Sequence, residues 1–260
     1  MILEQLADYA RIRAKQAKFV MPEARLRARA ESMPCGNFRF EKALAGKEMA
    51  FICEVKKASP SKGIIDPTFD YLSIALQYEE AGADCLSVLT EPKWFLGSDD
   101  IFRAIRTVTD LPMIRKDFTV DPYQIYEAKV MGADAVLLIC ALLDTDTLRE
   151  YLTLCDGLGL SALVEAHDES ELASAVEAGA RLIGVNNRNL KDFTVDLQNA
   201  ARLREKAPEN IVFVAESGIA SPQDAKKLRQ AGADATLVGE YLMRASDKEL
   251  ALAGLREATK

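Results

Sequence analysis

The sequence predicts an α/β protein built as a closed (βα)8 TIM barrel with an N-terminal helical extension. A helix-end motif followed by an apolar run recurs at intervals of about 50 residues, as a repeated structural unit would. Its glycines are Gly82, Gly132, Gly179 and Gly232. Four further apolar runs lie between the copies, and amphipathic stretches fill most of the gaps. Eight βα units in 260 residues favour a closed barrel over an open doubly wound sheet.

The predicted strands are near-continuous apolar runs, which is typical of parallel strands covered by helices. They lie in the segments that start at Ala50 (AFICEVKK), Ala81 (AGADCLSVLT), Leu111 (LPMIRKD), Met131 (MGADAVLLIC), Leu160 (LSALVEA), Ala178 (AGARLIGVNN), Asn210 (NIVFVAESG) and Ala231 (AGADATLVGE). The longest apolar run, residues 135–143, is interpreted as one buried strand.

Helical spacing of apolar residues predicts helices in the gaps, for example TFDYLSIALQYEEA from Thr68 and SPQDAKKLRQA from Ser221. Ser221 is a candidate N-cap with Pro222 at the first helical position. The glycines at the helix ends fit left-handed C-caps.

Residues 1–45 precede the first strand and have a basic, helix-favouring pattern. Two interpretations stand: a helical extension packed against the barrel, or a lid over its mouth. Neither adds a second domain, so we expect one domain over residues 1–260, with the barrel proper over residues 50–260.

Composition excludes several classes of protein. A formal charge of −7 gives no basic field for nucleic acid or anionic lipid, and no apolar run is long enough to span a membrane. The N-terminus lacks the pattern of an export signal, so we expect a cytoplasmic protein. Its five cysteines form no CxxC pair and there is one histidine, so no metal site is expected. No exposed apolar stripe demands a partner, which favours a monomer, with a weak dimer as the alternative.

Ionisable residues stand near the ends of all four odd-numbered strands, where a barrel of this kind builds its active site. Glu54 and Lys56 are two residues apart and therefore share one face of the first strand. The other three odd strands end at Lys116, Glu165 and Glu216. Buried ion pairs between these lysines and glutamates are the alternative explanation, but clusters of ionisable groups in clefts usually mark function.

A second group of residues predicts an anion site at the same end of the barrel. Loops after the seventh and eighth strands are the recurrent phosphate site of these barrels, because backbone N–H groups approach the ligand there. The candidates are Ser59 and Ser61, Arg188, Ser217 with Gly218, and Gly239 with Glu240.

These motifs together resemble one enzyme family, the indole-3-glycerol phosphate synthases. The segments that carry the resemblance are, in order, FICEVKKASPSKG, SVLTEPKWFLGS, MIRKDFTVDPYQI, LLICALL, LVEAHDE, IGVNNRNL, VAESGI and LVGEYLMR. The resemblance implies a lyase of tryptophan biosynthesis. It would convert 1-(2-carboxyphenylamino)-1-deoxyribulose 5-phosphate to indole-3-glycerol phosphate by ring closure, decarboxylation and dehydration, with no cofactor or metal.

The resemblance also implies roles for individual residues. Lys116 would protonate the substrate carbonyl oxygen, and Glu165 would stabilise positive charge and transfer a proton during dehydration. Lys56 would hold the substrate carboxylate or help to expel the hydroxyl, with Glu54 as its partner or as a base. The sequence leaves open which lysine acts in which step.

The remaining positions that the resemblance implies bind and orient the substrate. Asn186 would contact the substrate hydroxyls or the anilino group, and Glu216 with Ser217 would fix the lysines and the ribulose chain. The phosphate positions are Ser59, Arg188, Gly218, Gly239 and the backbone of Glu240, and the positions around the aromatic ring are Phe95, Phe118, Leu137 and Leu190.

Two other functions stay open at this stage: a Schiff-base aldolase with Lys116 as nucleophile, and a phosphate-binding barrel without turnover. Glu91 is either a site residue or the start of a turn with Pro92. His167 follows Glu165 at a strand end, and the sequence offers it no evident nucleophilic or metal partner. A hydrogen-bonded loop histidine is therefore expected there rather than a catalytic one.

Overall fold

The computed structural model describes residues 2–46, 48–189 and 192–260. Within them, eight parallel strands close a barrel in chain order, each paired with the next and the last with the first. The strands are β1 (Ala50–Val55), β2 (Cys85–Leu89), β3 (Met113–Lys116), β4 (Ala135–Ile139), β5 (Ser161–Ala166), β6 (Leu182–Asn186), β7 (Val212–Glu216) and β8 (Ala235–Val238). The predicted TIM barrel is confirmed.

Helices surround the barrel and precede it. They are α1 (Ile2–Val20), α2 (Glu23–Ser32), α3 (Arg39–Leu44), α4 (Tyr71–Glu80), α5 (Asp99–Arg106), α6 (Tyr123–Met131), α7 (Thr145–Leu158), α8 (Glu169–Ala178), α9 (Gln198–Arg204), α10 (Pro222–Gln230), α11 (Glu240–Arg244) and α12 (Lys248–Ala258). None of the helices described is long and apolar enough to cross a membrane.

Helix ends follow the predicted chemistry. Ser221 caps α10 by accepting a hydrogen bond from the backbone N–H of Asp224, with Pro222 in the first turn. Gly132 and Gly179 end α6 and α8 with φ of 86° and 93°, a left-handed conformation that costs glycine little.

The loop regions differ from the sequence prediction in two places. The strand predicted over residues 135–143 is wrong in its second half, because β4 ends at Ile139 and Cys140–Leu142 form a 3-10 turn. Leu143 then packs into the layer between strands and helices. The second half of the apolar run therefore contributes to the core without pairing with a neighbouring strand. In the loop after β1, Ala58–Ser59 pair with Gly63–Ile64 in a short antiparallel hairpin.

Two apolar layers hold the barrel together. The larger lies between the strands and the surrounding helices, and the other fills the barrel interior. Phe40 and Leu44 of α3 are fully buried in the interior layer, and the backbone N–H of Glu41 bonds the hydroxyl of Ser161, the first residue of β5. Helix α3 therefore closes the N-terminal end of the barrel and leaves the C-terminal end as its mouth.

Helix α1 lies at that mouth. Its Leu6 and Ala10 are buried with barrel residues, and Arg13 makes a bidentate ion pair with Asp117, at 2.6 and 3.0 Å, just after β3. Lys18 pairs with Asp121 at 2.9 Å. The extension is thus held against the barrel by apolar contact and by charge.

Candidate active site

A pocket of about 640 Å³ opens at the C-terminal ends of the strands. The predicted site residues that line it are Glu54, Lys56, Ser59, Phe95, Lys116, Phe118, Leu137, Glu165, Asn186, Arg188, Glu216, Ser217, Gly218, Gly239 and Glu240. Ser61 lines it too, whereas Leu190 lies outside the described residues. Strand ends and the loops that follow them therefore meet in one cavity, as the barrel geometry requires.

Lys116 stands at the centre of this pocket between two carboxylates. Its Nζ lies 2.8 Å from Glu216 Oε2 and 3.3 Å from Glu165 Oε2. All three side chains are at least largely buried, since their exposed fractions are 12% for Lys116, 4% for Glu165 and 2% for Glu216. An ammonium group held in this way has little access to water and two fixed counter-charges.

The electrostatics of the group follow from burial and from these pairings. Burial alone would lower the pKa of Lys116, but the charges of Glu216 and Glu165 outweigh it and raise the pKa. The side chain is therefore an ammonium ion at neutral pH. That state suits a proton donor and opposes nucleophilic attack by the amine.

The two carboxylates differ in their surroundings. Burial raises the pKa of Glu216 to about 7, against the attraction of Lys116. Its Oε1 has no hydrogen-bond partner in the described part of the chain and lies against Gly184. Burial would also raise the pKa of Glu165, but Lys116, His167 and a hydrogen bond with Asn186 lower it. Glu165 is accordingly the carboxylate with the lower pKa.

Lys56 and Glu54 form a second ion pair on the β1 side of the pocket. The Glu54 carboxylate also accepts a hydrogen bond from Ser87 on β2 at 3.5 Å. A methyl group at Gly239 would collide with both members of the ion pair. Glycine at the end of β8 is therefore needed to seat this pair.

The turn after β7 has a backbone conformation that few residues adopt. Ser217 and Gly218 have φ of 65° and 95°. A Cβ at Gly218 would also lie 2.6 Å from Val195 and 2.8 Å from Leu197. A serine held at positive φ costs of order 1–3 kcal/mol, and such strain clusters at functional sites.

Side chains of both charges surround this end of the pocket. Arg188 is half-buried, and its guanidinium donates to the Phe193 carbonyl at 3.2 Å. Ser59 and Ser61 lie 3.5 Å apart at their hydroxyls in the loop after β1. The Glu240 carboxylate is engaged by Arg244 at 3.0 Å and Lys62 at 3.6 Å, and attraction to these cations lowers its pKa against the effect of burial.

Apolar side chains form the opposite wall. The rings of Phe95 and Phe118 lie 6.2 Å apart at 42°, and Leu137 is buried beside them. Ile2 and Leu6 of α1 complete the wall. The sequence did not single out these two residues, because nothing near them in the chain shows that α1 reaches the mouth.

Glu91 holds the loop that carries Phe95. Its fully buried carboxylate accepts hydrogen bonds from the backbone N–H groups of Lys93, Trp94 and Phe95 at 2.7–2.9 Å. Of the two interpretations given to Glu91, the start of a turn is therefore the one that fits its contacts.

His167 contacts two carboxylates, and its hydrogen bonds with Glu171 fit the expected hydrogen-bonded loop histidine. Its Nδ1 lies 3.1 Å from Glu171 Oε2, and its Nε2 lies 3.4 Å from Glu165 Oε1. The pocket does not include it, so it stands behind Glu165. Glu165 and His167 are two residues apart, and the same-face argument that paired Glu54 with Lys56 could have found this contact.

The model of the indole-3-glycerol phosphate synthase family matches residues 3–255 of the chain. A protein of that name from Ruminiclostridium cellulolyticum is 55% identical over 257 residues, which cover 98% of this chain and 99% of the relative. Another from Lachnoclostridium phytofermentans is 44% identical over 268 aligned positions and covers the same shares.

Solved structures resemble the chain at much lower identity. The crystal structure of 3-hexulose-6-phosphate synthase from Salmonella typhimurium has a TM-score of 0.66 at 14% identity, covering 81% of this chain and 98% of that one. A thiamine phosphate pyrophosphorylase from Pyrococcus furiosus has a TM-score of 0.60 at 19% identity, covering 82% and 96%. These likenesses concern the fold alone.

Proposed function

Because the chain belongs to the indole-3-glycerol phosphate synthase family, we propose that its pocket converts 1-(2-carboxyphenylamino)-1-deoxyribulose 5-phosphate to indole-3-glycerol phosphate. The observation that carries the proposal is the buried ammonium of Lys116 between Glu165 and Glu216, in a cavity with an apolar wall and an arginine. The overall reaction takes up one proton and releases carbon dioxide and water.

Ring closure is the step for which the Lys116 site is suited. An aromatic carbon is a weak nucleophile, so the carbonyl carbon that it attacks must be made strongly electrophilic. Lys116 donates a proton to the carbonyl oxygen as the new carbon–carbon bond forms. Glu216 and Glu165 keep the amine protonated until then.

Decarboxylation and dehydration follow in the same pocket. Loss of carbon dioxide returns its bonding electron pair to the ring and restores aromaticity, which requires little beyond correct placement. Lys56, which lines the pocket just after β1, holds the carboxylate before it leaves and then protonates the departing hydroxyl. Glu165 accepts the proton lost from the neighbouring ring carbon, because its pKa is lowered and it is ionised.

Binding divides between the two ends of the pocket. Phe95, Phe118 and Leu137 enclose the anthranilate ring and exclude water, which strengthens each charge interaction beside them. Asn186 and Ser217 contact the ribulose hydroxyls between the two ends.

The phosphate lies at the other end, between the loop after β1 and the turns after β7 and β8. Arg188 supplies a charged donor, and Ser59 supplies a hydroxyl. Gly218 and Gly239 let the backbone approach the phosphate closely. The Glu240 carboxylate is engaged by Lys62 and Arg244, so only its backbone N–H is assigned to the ligand.

The other two functions are less well supported. A Schiff-base aldolase needs a neutral amine at Lys116, and the neighbouring carboxylates raise the pKa of that amine. A barrel that only binds phosphate needs no buried triad of one lysine and two glutamates. Burying these three charged groups costs free energy, and phosphate binding alone would not require it.

The test uses substrate labelled with ¹³C in its carboxylate. The proposal expects labelled carbon dioxide and indole-3-glycerol phosphate to form in equal amounts, with no covalent adduct after borohydride treatment. Product loss after borohydride, with labelled substrate bound to Lys116, would support the aldolase instead. Binding without any product would support the binding barrel.

The proposal extends to the setting in which the enzyme works. Five cysteines without a CxxC pair suit the reducing cytoplasm, and the sequence shows no exposed apolar stripe that demands a partner, which favours a monomer. Light scattering over a range of concentrations tests the monomer, and a mass of twice 28.6 kDa at all concentrations would overturn it.

A further inference from the structure

Glu171 holds both the backbone and the side chain of His167, the only histidine in the sequence. The carboxylate of Glu171 accepts a hydrogen bond from the His167 backbone N–H at 2.7 Å, and its same oxygen lies 3.1 Å from His167 Nδ1. Asp168 in turn caps α8 by accepting from the Glu171 N–H at 2.9 Å. This reciprocal arrangement resembles a capping box, and it fixes the imidazole ring in one orientation.

In that orientation the second ring nitrogen faces the site. Nδ1 is assigned the proton because it faces a carboxylate oxygen, which can only accept. Nε2 then lies 3.4 Å from Glu165 Oε1, while the other oxygen of Glu165 faces Lys116. In a neutral ring, the lone pair of Nε2 would face the Glu165 carboxylate and be repelled by it. In a charged ring, an N–H at Nε2 faces the carboxylate and is attracted to it.

We propose that His167 is a positioning residue whose imidazolium, oriented by Glu171, holds Glu165 in place and anionic from the side opposite Lys116. The inference rests on the proposed function, in which Lys116 gives its proton to the substrate. At that moment Glu165 loses its nearest counter-charge, and His167 supplies a second one that does not take part in the transfer. Glu165 therefore stays ionised for its later role as a base.

The charged groups around the ring favour the imidazolium. Glu165 faces it from β5, Glu171 from α8, and Glu216 acts on it from β7. Burial would lower the pKa of His167, but these three carboxylates raise it to about 8. Lys116 lies on the far side of Glu165.

The neutral neighbours do not oppose this. The amide of Asn199 donates to the His167 carbonyl at 3.0 Å, so it holds the backbone and leaves the ring alone. Burial raises the pKa of Cys140, near Glu171, to about 12, so its thiol carries no charge at neutral pH. The imidazole side chain is 18% exposed, although its Nε2 atom is buried.

The first test follows the ring directly. With one histidine in the chain, its Cε1 proton resonance in a tag-free sample reports the pKa without ambiguity. We expect a value near 8 in wild type, lowered by roughly 1 unit in Glu165→Gln, since an opposite charge at this range shifts a pKa by about that much. Glu169→Gln, an exposed change on the same helix, should leave it unaltered. A wild-type value near 6.5, or no response to Glu165→Gln, overturns the proposed contact.

The second test separates positioning from folding. His167→Asn keeps a donor for Glu171 and removes the Nε2 contact, whereas His167→Gln places a neutral donor near Glu165. We expect kcat to fall about 10-fold in His167→Asn with KM within about 2-fold, and His167→Gln to recover part of it. The decline of wild-type kcat/KM as pH rises through about 8 should be lost in both variants.

The outcomes are distinguishable. An unchanged kcat and pH profile in folded His167→Asn overturns the positioning role alone, even if the titration shows the contact with Glu165. A wild-type chain that binds substrate and releases no product overturns the proposed function, and the positioning role falls with it, while the titration still reports the contact.

Discussion

The ion pair between Arg13 and Asp117 predicts that one substitution in the N-terminal helix destabilises the barrel. Arg13 reaches from α1 to the residue that follows Lys116, and its two terminal guanidinium nitrogens donate to the carboxylate, at 2.6 and 3.0 Å. The Asp117 side chain is 1% exposed, and that of Arg13 is 19% exposed. Replacing Arg13 by methionine keeps most of the side-chain volume and leaves a buried carboxylate without its main counter-charge.

The size of the effect follows from the partners that stay behind. Removing one member of a buried pair costs about 3–5 kcal/mol. Asp117 keeps the hydroxyl of Thr90 at 2.6 Å, the backbone N–H of Phe118 at 2.8 Å and the charge of Arg115 at 3.9 Å. Arg13 is also partly solvated. We therefore expect the free energy of unfolding to fall by about 2–4 kcal/mol. Each kcal/mol should lower the melting temperature by about 2 °C or more.

Arg11 on the same helix provides the matched control. It pairs with Asp8 at 2.8 Å, but the two side chains are 54% and 71% exposed. An exposed pair contributes about 0–1 kcal/mol, so Arg11→Met should change the melting temperature little. Differential scanning calorimetry of both variants measures the difference. A melting temperature for Arg13→Met that falls no further than that of Arg11→Met would refute the reasoning.

Three other predictions concern glycines of the site and acid stability. Gly218→Ala adds a clash with Val195 and Leu197 to the positive φ of this residue and so displaces the backbone next to the substrate phosphate. The KM for the phosphorylated substrate should rise at least 10-fold, roughly. Gly179→Ala, which also has a positive φ of 93° but open space around it, should leave KM unchanged in the same assay. Gly239→Ala should lower kcat by displacing Lys56, whereas Gly157→Ala in α7 should keep kcat and gain about 0.5–1 kcal/mol of stability by calorimetry. Burial opposes ionisation of Asp117, but the charge of Arg13 outweighs it and lowers the pKa of Asp117. The ionised carboxylate therefore stabilises the folded protein above the unfolded pKa of about 3.9, and this stabilisation is lost as pH falls through the folded pKa. The melting-temperature gap between wild type and Asp117→Asn should be full at pH 7 and shrink below about pH 4; a gap that widens there would contradict it.

The barrel was predictable because its strands and helices have short-range signatures. The repeated glycines lie at the ends of helices, and each of the eight apolar runs contains a strand. Position at a strand end was also enough to bring Lys116, Glu165 and Glu216 into one pocket, because parallel strands in a barrel share their C-terminal end.

Contacts between distant parts of the chain were not predictable in the same way. Arg13 and Asp117 are 104 residues apart, and no periodicity connects a helix to the strand end it meets. The position of Ile2 and Leu6 in the pocket wall could not be predicted for the same reason. The 3-10 turn at Cys140–Leu142 was hidden because apolar residues suit both a strand and the packed layer outside the barrel.

Roles within the pocket depend on environment, which the sequence does not display. Glu165 and Glu216 are the same residue type at equivalent strand ends, yet the pKa of Glu165 is lowered and that of Glu216 is raised. Asn186 and His167 contact Glu165, while Glu216 Oε1 lies against Gly184. The roles given to these residues stay predictions, and so does the division of the chain into an extension and a barrel within one domain.

The central claim is that Lys116 acts as the acid for ring closure, and turnover by a charge-removing variant tests it most directly. Formation of indole-3-glycerol phosphate is followed by fluorescence for wild type, Lys116→Met and the exposed control Lys15→Met, each checked for folding by circular dichroism. We predict that kcat of folded Lys116→Met falls at least 100-fold, roughly the contribution of a general acid, and that Lys15→Met matches wild type. A folded Lys116→Met with kcat within a few-fold of wild type would contradict the account.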